Sequence, residues 1–315
     1  MSHPISAPVT PAQAPQLDSQ PLGAWLVFGS AMVWSLGGII ARLADIENVW
    51  TAVFWRSGTA ALFLLGFMLL RDGRAGTAAL FARMGLPGLA VAVCFAIAST
   101  SFVVALQFTT VANILLMQAG VPLIAALVCR ILFGEQLRVT TWLAIAAVIL
   151  GVAVMVSDSL TGRVSPIGDG LSLLIAGAFA SATVITRRYA DIRMTPAVCT
   201  GATIGCVAAL ILSLAGAGTV AVEPWQAPIL VVFGLTLGLG LALFTQGARL
   251  IPSAFAALLG TAETIFGPFW VWLFLDETPT ARTVVGGAIV LAAILAYLAW
   301  QLIDHRKIRI APPVH

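Results

Sequence analysis

Long apolar stretches separated by short polar breaks run through the chain from residue 22 to residue 302. Ten of them are marked: 22–41, 50–70, 86–107, 112–133, 139–157, 169–187, 195–215, 227–247, 253–275 and 281–302. Each is close to the roughly 20 residues that an α-helix needs to cross a bilayer's hydrocarbon core. None shows the ten-residue alternation of a membrane β-strand. The pattern predicts an all-α integral membrane protein of ten transmembrane helices. The slightest break lies between the third and fourth spans, where only Gln107, Thr109, Thr110 and Asn113 interrupt the apolar run. That spacing predicts a very tight turn.

Composition strengthens this picture. Hydrophobic residues make up 60% of the 315 positions and charged ones 9%, against about half and a quarter in soluble domains. Residues 1–21 are proline-rich and lack Lys and Arg, so they read as a disordered tail rather than a signal peptide, which needs a basic start.

The net charge of +3 matters less than where the cations fall. With the N-terminus inside, twelve of them flank inner span ends: Arg71, Arg74, Arg83, Arg130, Arg138, Arg187, Arg188, Arg193, Arg249, Arg306, Lys307 and Arg309. Three fall outside, Arg42, Arg163 and Arg282. This bias predicts both termini in the cytoplasm.

The expected organisation is a tail (1–21), a five-helix repeat (22–157), an external connection (158–168), a second repeat (169–302) and a tail (303–315). Five helices per repeat give the halves opposite orientation. Two echoes support the repeat. Arg42 and Asp45 follow the first span much as Arg188 and Asp191 follow the sixth, and the fourth and ninth spans close on Gly134-Glu135 and Asp276-Glu277. Inverted repeats of this kind place a substrate near the midplane between them.

Several chemistries are excluded. His3, His305 and His315 lie in the tails, and no HExxH, Walker or dinucleotide motif is present, so neither an enzyme nor an ATP-driven pump is expected. The four cysteines lie in apolar spans without ligand spacing, which suggests neither disulfides nor a metal. No cofactor and no nucleic-acid partner are expected. The expected partners are the lipid bilayer and a small-molecule substrate.

Two charges stand inside spans: Glu263 near the middle of the ninth and Arg56 a turn or two into the second. A charge at mid-membrane costs roughly 2.5–3.5 kcal/mol on insertion scales, so each needs a partner or a wet cavity. They either hold a zwitterionic substrate, Arg56 taking a carboxylate and Glu263 an ammonium or a proton, or they form a structural ion pair. Phe95, Ser99 and Phe102 form a stripe at i, i+4 and i+7 on the third span, and Phe179, Thr183 and Thr186 repeat it on the sixth. Either stripe suits an amphipathic solute or plain helix packing. Asn113 and Met117 share a face of the fourth span, the amide being cavity-lining or an interhelical clamp. Trp34 on a Gly-rich face and Thr261 complete the candidate cavity set.

The chain resembles the drug/metabolite transporter superfamily, specifically its ten-helix EamA-type members, which include bacterial amino-acid exporters. The resembling residues are Trp34-Ser35, Phe54-Trp55-Arg56, the run from Ala105 through Pro122 to Glu135, and Glu263. The resemblance implies two inverted five-helix repeats around a central cavity, in a bacterial inner membrane, and export of small metabolites. Such relatives often carry Glu-Pro in the ninth span, whereas Glu263 precedes Thr264 and Pro268 comes later, so the kink is expected about a turn further on. Aromatic or amphipathic amino acids are the expected cargo; a drug or organic-cation exporter and a passive channel are the alternatives.

Overall fold

A computed structural model describes residues 20–134, 136–160, 165–217, 219–248, 250–251 and 253–310. Nearly the whole N-terminal tail, Arg163, Arg249, Glu135 and residues 311–315 lie outside the described residues. Eleven α-helices follow one another: α1 (Gln20–Leu43), α2 (Val49–Ala105), α3 (Val111–Gln118), α4 (Val121–Phe133), α5 (Val139–Leu160), α6 (Pro166–Arg188), α7 (Thr195–Leu212), α8 (Gln226–Gly247), α9 (Ser253–Gly260), α10 (Ala262–Leu275) and α11 (Ala281–Ile310).

They make ten crossings. Eight helices are long and apolar enough to span a membrane. One of these, α2, contains two spans, because Gly73 and Gly85 take non-helical positive φ values of 69° and 53° and break it into residues 49–72 and 86–105. Glycine alone adopts such angles without strain. The bent pair α3–α4 supplies the tenth span.

Local chemistry sets the helix ends. The Asn48 side chain accepts from the Trp50 and Thr51 amides and starts α2; Thr110 caps α3 through the Asn113 amide. Ser165 caps α6, with Pro166 in the first turn, where its missing N–H costs nothing. Residues 166–168, expected in the external connection, are therefore helical. Likewise α5 runs on to Leu160 and α11 to Ile310, past the expected boundaries at 157 and 302. The third-to-fourth turn is as tight as its sequence predicts, residues 106–110.

The expected kink at Pro268 is not where the ninth span breaks. Pro268 lies within continuous α10, and the break falls at Thr261, between α9 and α10. The Thr261 hydroxyl donates to the Leu258 carbonyl at 2.6 Å, a bond that competes with the helix ladder at the junction. The fourth span breaks at the corresponding place, Ala119-Gly120, with a bend of 43°. Both spans also end on left-handed residues, Gly134 (φ 66°) and Asp276 (φ 52°).

Packing repeats the same correspondence. α1 packs on α8 and on the α9–α10 span, while α6 packs on α2 and on the α3–α4 span; α5 pairs with α11 and α2 with α7. Close approach depends on glycine at a few crossings. A Cβ on Gly234 would stand 2.6 Å from the Arg56 carbonyl oxygen, and one on Gly201 2.5 Å from that of Ala92.

The two ends of the bundle differ. At the end marked by Arg42, one apolar cluster includes Ile39 of α1, Ala98 of α2, Ile114 and Leu115 of α3, Ile175 of α6 and Val271 of α10. It therefore joins both repeats. At the end where α1 begins, α4 and α6 form one cluster around Cys129 and Val184. α1, α8 and α9 form another around Val27 and Ala256. These two are linked along the α5–α11 side by a cluster that holds Leu123, Ile294 and Leu258. One cluster closes the apolar core at the Arg42 end, while at the other end the core is divided among three.

Candidate transport site

Burial falls along one face of α6. Ile175 is fully buried, Phe179 one turn on is half-buried, and Thr183 after it is exposed although it shares their face. The Thr183 hydroxyl bonds the Phe179 carbonyl at 2.8 Å. Phe179 meets Phe95 edge-to-face at 6.2 Å. One ring from each aromatic stripe thus meets the other where the third and sixth spans pack together.

Arg56, in α2, is only 8% exposed. Its guanidinium sits between the rings of Phe102 (4.9 Å) and Phe233 (4.6 Å). Nη1 donates to the Ser99 carbonyl oxygen at 3.2 Å and to its hydroxyl at 3.4 Å. Nε is buried and has no partner. Two aromatic faces and one carbonyl can hold a cation away from water, yet one edge of the planar fork remains unused.

Glu263, in the first turn of α10, is half-buried and makes no hydrogen bond or ion pair with any described residue. An acidic residue in the first turn of a helix lies at its positive dipole end. Arg56 and Glu263 lie near enough to feel each other's charge, but no bond joins them. The structural ion pair is thus not formed. Opposite charges stand apart with an unused edge on the cation and unbonded oxygens on the anion.

The other expected residues sort by position. Trp34 packs on Gly240, its ring 5.7 Å from that of Phe244, and its Nε1 donates to the Leu237 carbonyl at 3.4 Å. It binds α1 to α8. Met117 is 1% exposed. Asn113 is a clamp: its amide donates to the Thr109 hydroxyl (3.0 Å) and to Asp169 (2.6 Å), tying α3 to α6. Thr261 sits at the break in the ninth span. Phe233 and Asp169 were not singled out in the sequence. Phe233 is fully buried and becomes part of the site only because α8 packs against α2. Asp169 stands at a span boundary, where a carboxylate attracts no notice.

Two lateral apolar grooves lie elsewhere. One, of about 410 Å³, runs between α2 and α7 past Trp55, Leu62 and Cys206; the other, of about 300 Å³, is bordered by Ile40 and Val232. Neither contains Arg56 or Glu263. No group of metal-ligating side chains occurs among the described residues.

Comparison with known proteins agrees with this architecture. Sixteen solved chains match it. One of them, titled "Crystal structure of protein", superposes with a TM-score of 0.63 at 16% identity, over 90% of this chain and 99% of that one. This likeness establishes the fold. A search of curated proteins gave no match. The pattern of the EamA-like transporter family is found twice, over residues 21–157 and 166–299, one copy per repeat. With ten apolar crossings and two copies of that pattern over most of its length, the chain is a multi-pass membrane protein and belongs to the EamA-like transporter family.

Proposed function

We propose that this protein is a secondary transporter that exports small amphipathic metabolites, amino acids foremost, by alternating access across a bacterial inner membrane. One observation supports the substrate class: Arg56, set against Phe102 with its Nε unpartnered, and Glu263, with no bonded partner among the described residues, leave two opposite charges unsatisfied in a bundle where Phe95 meets Phe179. That combination suits a zwitterion with an apolar side chain. Its carboxylate takes the free Nε edge of Arg56 and its ammonium takes Glu263, while the aromatic rings accept the side chain. The arginine bias supports a cytoplasmic position for the termini and for the end at which α1 begins. Export begins from that side.

The test is counterflow into proteoliposomes with one labelled aromatic amino acid against a panel of unlabelled competitors. Saturable, stereoselective exchange is expected. A linear, nonsaturating flux would indicate a channel, and competition by organic cations rather than amino acids would indicate a drug exporter.

Glu263→Gln keeps the shape and removes the charge. Hydrogen bonds to charged groups are worth about 1.5–3 kcal/mol, so exchange should fall roughly 10- to 100-fold in correctly inserted protein. Undiminished exchange would take Glu263 out of the substrate site.

A further inference from the structure

The sealed end is held by a compact polar device that spans both repeats. Arg42, in the last turn of α1, spends all three nitrogen positions of its guanidinium. Nε pairs with Glu277 Oε2 at 2.9 Å, Nη1 donates to the Leu106 carbonyl oxygen at 2.7 Å, and Nη2 donates to that of Thr109 at 3.0 Å. The other oxygen of Glu277 accepts the Val111 amide at 2.8 Å, at the N-terminus of α3. Glu277 is turned back onto the bundle by Asp276, whose left-handed φ of 52° ends α10. The end of α1, the 106–110 turn, the start of α3 and the end of α10 are thereby fastened at one point.

Beneath it lies the Thr109–Asn113–Asp169 brace, and beneath that the apolar seal around Ile114 and Val271. Two of the fastened segments adjoin a break in their span: α3 (8 residues) ends at the bend before α4, and α10 (14 residues) begins at Thr261, and the two pack on each other. Their partners α4 and α9 meet through the α5–α11 side instead.

We propose that Arg42, Glu277 and the main chain of the 106–111 turn are the releasable latch of the far-side gate, whose opening exposes the seal to the external solution. The latch rests on the transporter reading, but its test requires no known substrate. A charge-assisted pair with its two groups 31% and 17% exposed is reached by water, unlike Arg56, and can exchange its partners for solvent. That property suits a fastening that must open and close.

The experiment places a reporter cysteine at Ile114, which is fully buried in the seal, in a background with Cys94, Cys129, Cys199 and Cys206 replaced. A membrane-impermeant maleimide is applied to intact cells. Glu47→Cys, on the exposed turn at the same end, identifies the side that the reagent reaches. With the latch intact, labelling of Ile114→Cys should be slow; Glu277→Ala or Arg42→Gln should accelerate it at least ten-fold. Unchanged labelling in both variants, with Glu47→Cys labelled normally, would overturn the latch.

A second arm, insensitive to loosened folding, fastens the device instead. Arg42→Cys with Glu277→Cys, bridged by a short bis-methanethiosulfonate, should stop exchange in proteoliposomes, and dithiothreitol should restore it. Exchange that continues through the bridge would overturn the latch, because transport would then not require these two positions to part. A nonsaturating flux in the unmodified protein would instead count against the transporter reading and leave the labelling result standing.

Discussion

Arg56→Lys is expected to lose nearly as much exchange as Arg56→Ala, roughly 10- to 100-fold, although it keeps the charge. The guanidinium is held flat between Phe102 and Phe233, with Nη1 anchored on Ser99 and Nε left over. A lysine ammonium is a hydrated point charge; it neither stacks between two rings nor presents a planar edge to a carboxylate. The charged hydrogen bond from the planar edge to the substrate carboxylate is lost, about 1.5–3 kcal/mol, which corresponds to roughly 10- to 100-fold. Arg56→Met separates function from stability. Arg56 has no bonded anion to orphan and its buried Nε already lacks a partner, so an apolar chain removes a desolvation cost, and this variant should melt no lower than the parent while exchanging nothing. Initial counterflow rates and thermal unfolding in detergent give both readouts. Near-normal exchange by Arg56→Lys would reduce the residue to a source of positive potential.

Gly286→Ala should destabilise the protein more than any other single added methyl discussed here. Where α11 crosses α5, the two helices meet as backbone on backbone. A Cβ on Gly286 would collide with the Gly151 carbonyl oxygen and stand 2.6 Å from Met155 Cγ and 3.0 Å from the Met155 amide nitrogen. A Cβ on Gly151 would stand 2.6 Å from the Gly286 carbonyl oxygen and 2.7 Å from Val290 Cγ2. No rotamer change relieves a clash with main chain, so the helices must separate. Overpacking of this kind costs about 1–3 kcal/mol, and the upper end applies here, a fall in Tm of about 5–10 °C. Gly66→Ala is the control. It meets nothing within 4 Å, and alanine's better helix propensity makes it neutral to slightly stabilising. An unchanged Tm for Gly286→Ala would mean that the crossing is looser than its geometry.

The spans were legible in the sequence because crossing a bilayer requires an unbroken apolar run, and nothing else in the chain competes with that signal. The breaks within the fourth and ninth spans were not. Pro268 is the stronger local signal, yet the helix continues through it and yields at Thr261, where a side-chain bond replaces a ladder bond. Long-range partners were equally hidden. Arg42 read as a marker of topology and Glu277 as one residue of an acidic turn, although both echoes of the repeat pointed to these positions. Only packing of α10 against α1 and α3 brings them within 2.9 Å. Phe233 is one apolar residue among many until α8 places it over Arg56.

The mirrored packing of the repeats has one more consequence. α1 stands to α8 and the ninth span as α6 stands to α2 and the fourth. Threading each half of the chain through the conformation now held by its counterpart would bring α4 and α9 together and part α3 from α10. The molecule's second shape is thus already drawn in its first, and it calls for no kind of helix contact that the fold does not already contain.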